Sequence, residues 1–165
     1  MGIDQDEIST ETTTLGELLV AENIGSQHRK VVKALYKALA RKDTSTTSEL
    51  VAPDLEWWFH GPRHCQHMMR TLTGELRHVE FKFRPRSITP VGDRVVAEGW
   101  EGSKAYWAHV WSVKEGMITQ LREYFNTWVT VIVGNSEVED EMMKLWQSDP
   151  RERSQRSLPD IVLAI

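Results

Sequence analysis

Residues 105–125, "AYWAHVWSVKEGMITQLREYF", constrain the fold of this chain more than any other stretch. Two runs rich in aromatic and β-branched residues flank a turn at Glu115-Gly116, the pattern of an antiparallel hairpin. In a strand, residues two apart share a face. One face of the first run carries Trp107, His109, Trp111 and Val113, and one face of the second carries Leu121, Glu123 and Phe125. A hairpin this aromatic must bury that face, and a sheet with helices against it is the simplest way to do so.

The rest of the chain supplies the other layers. "SQHRKVVKALYKALARKD" places Val31, Leu35, Ala38 and Leu39 at helical spacing, with Ser26 as the expected N-cap. "TSTTSELVAPDL" reads as a short helix stopped by Pro53, and "LEWWFH" as a strand ended by Gly61-Pro62. A second amphipathic helix carries Met68, Met69 and Leu72 and closes at Gly74. "VEFKFRPRSITPV" and "RVVAEGWEG", joined at Gly92-Asp93, predict another hairpin, and "MITQLREYFNTWVTVIV" a long strand. Helices followed by a meander give an α+β class.

Three segments are expected: a flexible acidic extension over 1–22, a globular domain over 23–135, and a tail over 136–165. In the tail, "EVEDEMMKLWQS" reads as a charged helix, and the apolar "LPDIVLAI" is expected to dock on this chain or on a second copy.

At 165 residues and 40% apolar content the chain is one domain's worth of material. A net charge of -4, with Lys and Arg scattered, argues against a nucleic-acid partner. No apolar run approaches the length of a membrane span. The single cysteine, Cys65, rules out an internal disulfide, and the amino terminus lacks the basic start and apolar run of a secretory signal. These features predict a reducing compartment, the cytoplasm with the nucleus as alternative.

"EWWFHGP", "HMMRTLTG", "REYFNT" and "SLPDIVLAI" resemble the wound-induced and senescence-associated protein family of plants, from about His28 to the carboxyl end. That family lies in the nuclear-transport-factor-2-like (SnoaL-like) superfamily. The resemblance implies a cone-shaped, strongly curved antiparallel β-sheet wrapped around N-terminal helices, with an extra C-terminal helix and tail here. It also implies a pocket at the wide end and a homodimer packed through the sheet's outer face. It does not supply a reaction, because the superfamily mixes isomerases, dehydratases, epoxide hydrolases, cyclases and non-catalytic proteins.

His109 and Glu123 are the sharpest candidates. An imidazole and a carboxyl on one concave, tryptophan-lined face suit proton transfer, because burial moves a carboxyl pKa toward neutrality. "LREYFN" resembles the "RDYFD" pattern of limonene-epoxide-hydrolase-type relatives, whose first acid is catalytic and whose position Glu123 holds. The chain departs from that pattern at Gly99, where those relatives carry an arginine, and at Asn126, where they carry a second acid, although Glu101 could stand in for an acid. The plainer reading is a buried His and Glu that satisfy each other. Expected pocket walls are Trp57, Phe59, Met68, Leu72, Trp107, Trp111, Leu121 and Phe125. Trp57 and Phe59 share one strand face and Trp58 and His60 the other. His60, His64, Cys65 and His67 lack the spacing of a zinc motif, so neither metal nor cofactor is expected.

Two functions remain open on this reading. One is a protein that binds a small hydrophobic metabolite, or serves as a non-catalytic accessory to a metabolic-enzyme partner. The other is a cofactor-independent isomerase, dehydratase or cyclase with His109 and Glu123 as base and acid.

Overall fold

The computed structural model describes residues 5–62, 65–76, 78–101, 105–126, 129–133, 144–148 and 162–164. The first helix, α1 (Gln5–Ala40), presents Val32, Leu35, Tyr36 and Leu39 at helical spacing, all buried. It is longer than the sequence pattern suggests. It runs through Ser26, which is not its cap, and Leu15, Leu18 and Leu19 stand exposed on its amino-terminal half. Glu, Leu and Ala favour helix without a packed face, and apolar periodicity does not register such a segment.

Lys42 takes a left-handed conformation (φ 57°), and the Asp43 amide reaches back to the Ala38 carbonyl at 2.9 Å to end α1. Asp43 then caps α2 (Thr44–Leu50) by accepting from the Thr46 amide at 3.0 Å and the Thr46 hydroxyl at 2.6 Å.

The main sheet orders its strands β1-β5-β4-β3-β2, from β1 (Val51–His60), β2 (Ser87–Val91), β3 (Arg94–Glu101), β4 (Ala105–Lys114) and β5 (Met117–Phe125). The sheet is curved and unclosed. β1 starts earlier than expected and includes Pro53, which is tolerated because β1 is an edge strand with irregular register between Val51 and Glu56. It pairs with β5 in parallel, whereas the other three pairings are antiparallel. β2 begins only at Ser87, so most of "VEFKFRPR" is an irregular strap. Glu115 (φ 52°) and Gly116 (φ 78°) make the expected tight turn between β4 and β5. An irregularity in register follows it: Val113 faces Ile118 but Ser112 faces Gln120, leaving Thr119 as the extra residue.

The short helix α3 (His67–Leu72) ends at Gly74 (φ 82°) as expected. The predicted long strand after Met117 is broken at Asn126 (φ 51°), and its second half becomes β6 (Val129–Val133) of a separate sheet ordered β7-β6-β8. β7 (Lys144–Gln147) is a strand where a helix was expected, and residues 137–143 of that expected helix lie outside the described residues. β8 (Val162–Ala164) docks the apolar tail in parallel on β6 of the same chain.

The central strands β3, β4 and β5 are buried on both faces over most of their length. Val32, Leu35, Tyr36, Met68, Trp107 and Trp111 belong to the core on the helix side. On the outer face Val96, Tyr106, Ala108, Val110 and Tyr124 pack with Val131 of β6 and Trp146 of β7. Tyr106 donates to Glu98 and bonds Ser148 at 2.9 Å, and Glu98 also accepts from Arg86 at 2.8 Å and Ser87 at 3.0 Å. That network ties the segment after β7 to β3 and β4. Among the described residues no helix is long and apolar enough to cross a membrane.

Candidate functional site: a buried histidine and glutamate beside a cavity

His109 on β4 and Glu123 on β5 are register partners on the helix-facing side, with Nε2 and Oε1 3.9 Å apart. Both side chains are buried. The His109 ring packs on Trp107 at 4.7 Å and meets Phe83 edge-on at 4.7 Å.

The proton arrangement follows from hydrogen-bond accounting. Tyr36 Oη lies 2.6 Å from His109 Nδ1 and 3.1 Å from Trp111 Nε1. The indole can only donate, so the Tyr36 hydroxyl accepts from Trp111. Its own proton is satisfied only if it donates to Nδ1, which assigns the remaining imidazole proton to Nε2, facing Glu123. Glu123 Oε1 accepts from the Met68 amide at 2.9 Å. His109 Nε2 and Glu123 Oε2 have no hydrogen-bond partner among the described residues.

Burial controls both ionisations. Loss of solvation pushes His109 down to about 3, so the ring is neutral. Loss of solvation likewise pushes Glu123 up to about 7, against the smaller opposing pull of the amides of Met68, Met69 and His67. The Trp57 indole pulls the same way while stopping short of hydrogen-bond geometry. At neutral pH the site therefore holds a neutral imidazole beside a carboxyl poised between its two forms, which is what proton relay requires.

A cavity of about 510 Å³ lies between the end of α1, α2, α3 and the strap over 79–83, within the size range of small-molecule sites. Leu72 lines it, but the other expected wall residues do not. Met68, Trp107, Trp111 and Leu121 are fully buried core, with Trp57 and Phe125 packed against them, and Phe59 is half-buried on β1. The cavity wall comes instead from Leu39, Leu76, Val79, Phe81 and Phe83. The available signal for these was the alternation in "VEFKF", which sets Phe81 and Phe83 on one side. Phe83 lines the cavity and touches His109, so its ring links the chamber to the pair.

The departures from the epoxide-hydrolase pattern have structural causes. A Cβ at Gly99 would sit 2.6 Å from Trp107 Cζ2 and 2.8 Å from the Arg84 carbonyl, so the indole occupies the room a side chain there would need. Asn126 accepts from the Tyr106 amide at 2.8 Å and donates its own amide to the Tyr106 carbonyl at 2.7 Å, a backbone-bracing role. Glu101 lines the cavity and pairs with Lys82 at 3.2 Å.

The tandem tryptophans diverge as expected. Trp57 packs toward the helix-side core, whereas Trp58 lies 39% exposed beneath Arg122 at 4.8 Å. His60 stacks on Tyr124 at 4.8 Å while His67 turns toward Phe125 and the cavity, so these two histidines do not converge; His64 lies outside the described residues.

Comparison with known proteins agrees with the architecture. Bal32a, from a soil-derived mobile gene cassette, superposes with a TM-score of 0.50 over 62% of this chain and 91% of its own, at 20% identity. The curved sheet around amino-terminal helices is the nuclear-transport-factor-2-like arrangement. Wound-induced protein 1 of Solanum tuberosum is 35% identical over 105 residues, which span 59% of this chain and all of that protein. Senescence associated gene 20 of Arabidopsis thaliana is 36% identical over 110 residues, again 59% of this chain and all of the relative. The model of the family described as "Wound-induced protein WI12" matches residues 69–165, and the chain belongs to that wound-induced and senescence-associated plant family.

Proposed function

We propose that this protein binds a small, largely apolar metabolite in the cavity between α2, α3 and the 79–83 strap. The observation that carries this reading is the cavity itself: about 510 Å³, walled by Leu39, Leu72, Phe81 and Phe83 with polar side chains such as Thr47 and Thr71 among its lining. Native mass spectrometry of protein purified from its own tissue should show a retained small molecule. Leu72→Trp, which fills the chamber, should lose that mass while keeping the melting temperature within a few degrees. Equal retention in the variant would sink the assignment of the ligand to this cavity.

The adjoining His109 and Glu123 support a second reading, cofactor-independent isomerisation, dehydration or cyclisation of the bound molecule. His109 Nε2 and Glu123 Oε2, without hydrogen-bond partners among the described residues, are the groups that a reacting molecule reaching past Phe83 would meet. Glu123→Gln should then abolish turnover with ligand uptake unchanged, and undiminished turnover would remove Glu123 from the chemistry.

An accessory role toward a metabolic-enzyme partner draws its support from the exposed Leu15, Leu18 and Leu19. Homodimerisation through the outer face would have to use the strip around Trp58 and Arg122, since Val131 and Trp146 cover the face over β3 and β4. Sedimentation of Trp58→Glu tests that: an unchanged dimer mass would exclude the strip.

A further inference from the structure

The chamber's polar surface restricts the kind of ligand it can take. Five hydroxyl residues line it: Thr44, Thr47, Ser48, Thr71 and Thr73. Four of them have already committed their protons to nearby backbone carbonyls. Thr47 donates to Asp43 at 2.8 Å, Ser48 to Thr44 at 2.9 Å, Thr71 to His67 at 2.8 Å and Thr73 to Arg70 at 3.3 Å. A hydroxyl has one proton and two lone pairs, so what these four retain is acceptor capacity alone.

The charges point the same way. Lys42, Arg70 and Lys82 are matched on the lining by Asp43, Glu80 and Glu101. Lys82 is tied to Glu101 at 3.2 Å, and Arg70 to Glu75 at 3.2 Å. The chamber therefore carries no excess cationic field to compensate a carboxylate that leaves water for an apolar wall.

Resting on the proposed cavity function, we infer that the chamber selects an uncharged, apolar molecule bearing a hydrogen-bond donor, a hydroxylated lipid-like or aromatic alcohol, and discriminates against carboxylic acids. Phe81 and Phe83 take the apolar body, and the hydroxyls of Thr47 on α2 and Thr71 on α3 accept from the ligand's O–H.

Two matched series test this on the full chain by isothermal titration calorimetry: farnesol, its methyl ether and farnesoic acid, and 2-naphthylmethanol, its methyl ether and 2-naphthoic acid. Within each series the alcohol should bind about three- to tenfold tighter than the ether, the yield of one neutral hydrogen bond. The acid should bind weakest at pH 8. In the double variant Thr47→Val/Thr71→Val the alcohol-to-ether ratio should fall to near one while the ether's affinity holds, which also reports that the variant is folded.

Ether equal to alcohol in the wild type, or an acid tighter than its alcohol, overturns the ligand class and leaves cavity binding standing. A ratio unchanged in the double variant overturns the role of the two threonines as acceptors. Failure of all six probes to bind overturns both the ligand class and the cavity reading beneath it.

Discussion

Replacing Glu123 with glutamine removes one ionisation from the buried pair and little else, because the amide keeps the shape of the neutral acid and an oxygen for the Met68 amide. The ordinary glutamate pKa of 4.5 governs the unfolded chain, whereas in the folded protein loss of solvation raises it to about 7. Between those values the unfolded state has released a proton that the native state still holds, so rising pH favours unfolding of the wild type. At about 1.4 kcal/mol per pH unit, Glu123→Gln should gain roughly 3 kcal/mol on the wild type from pH 4.5 to pH 7 and nothing further above that.

His109 contributes the opposite slope. Its native pKa of about 3 lies below the ordinary 6.5, so the stability it confers is present above 6.5 and is lost as pH falls toward 3. In the wild type the two slopes nearly cancel between pH 4.5 and 6.5. The variant should lay the histidine slope bare, its stability climbing with pH across that window. Urea denaturation followed by tryptophan fluorescence, in half-unit steps from pH 4 to 8, reads both curves. A wild type that gains on the variant as pH rises would mean that Glu123 is held as a carboxylate, a difference that stays flat would mean that it keeps its ordinary pKa, and either result would refute the neutral-pair argument.

Gly99→Ala should lower stability by about 1–3 kcal/mol, since its Cβ meets Trp107 at 2.6 Å and backbone at 2.8 Å, and thermal unfolding measures the loss. Tyr106→Phe withdraws the hydroxyl that donates to Glu98 and bonds the Ser148 hydroxyl, and should cost about 1–3 kcal/mol in the same assay. Deleting Thr119 removes the extra residue of β5 and keeps His109 opposite Glu123, because the pair of Val113 with Ile118 and the pair of Ser112 with Gln120 become consecutive, so the chain should keep a cooperative unfolding transition; loss of that transition would show that the bulge itself is needed for the sheet.

The His109 and Glu123 pairing was legible because both strands alternate strongly and their apolar faces must match. Turn geometry alone would have misled: counted outward from Glu115-Gly116 without a bulge, His109 faces Arg122, and only the slip at Thr119 brings Glu123 opposite it. The apolar pattern settles such a choice because a one-residue slip sends every side chain to the wrong face.

Other features carry no local signature. The parallel pairing of β1 depends on a partner far along the chain, and a four-residue segment such as Lys144–Gln147, with only Leu145 and Trp146 apolar, fits helix and strand equally well. The cavity was misplaced for a related reason. Aromatic residues on the strands were read as its walls, but Tyr36 and Met68, from α1 and α3, pack down on Trp107 and Trp111. The open space lies beyond those helices, where tertiary packing, not strand periodicity, decides what is left unfilled.

The parallel edge strand also sets the order of events during biosynthesis. β1 leaves the ribosome with its tryptophans long before Leu121 and Tyr124, the residues that Trp57 and His60 will sit beside. Until then an aromatic segment with unpaired amides must wait in the nascent chain, held only by the helices already made. Long-range pairing of this kind slows folding and lengthens exposure to self-association. A cell that makes this protein in bulk would therefore meet its hazard in the half-finished chain, well before the finished cone.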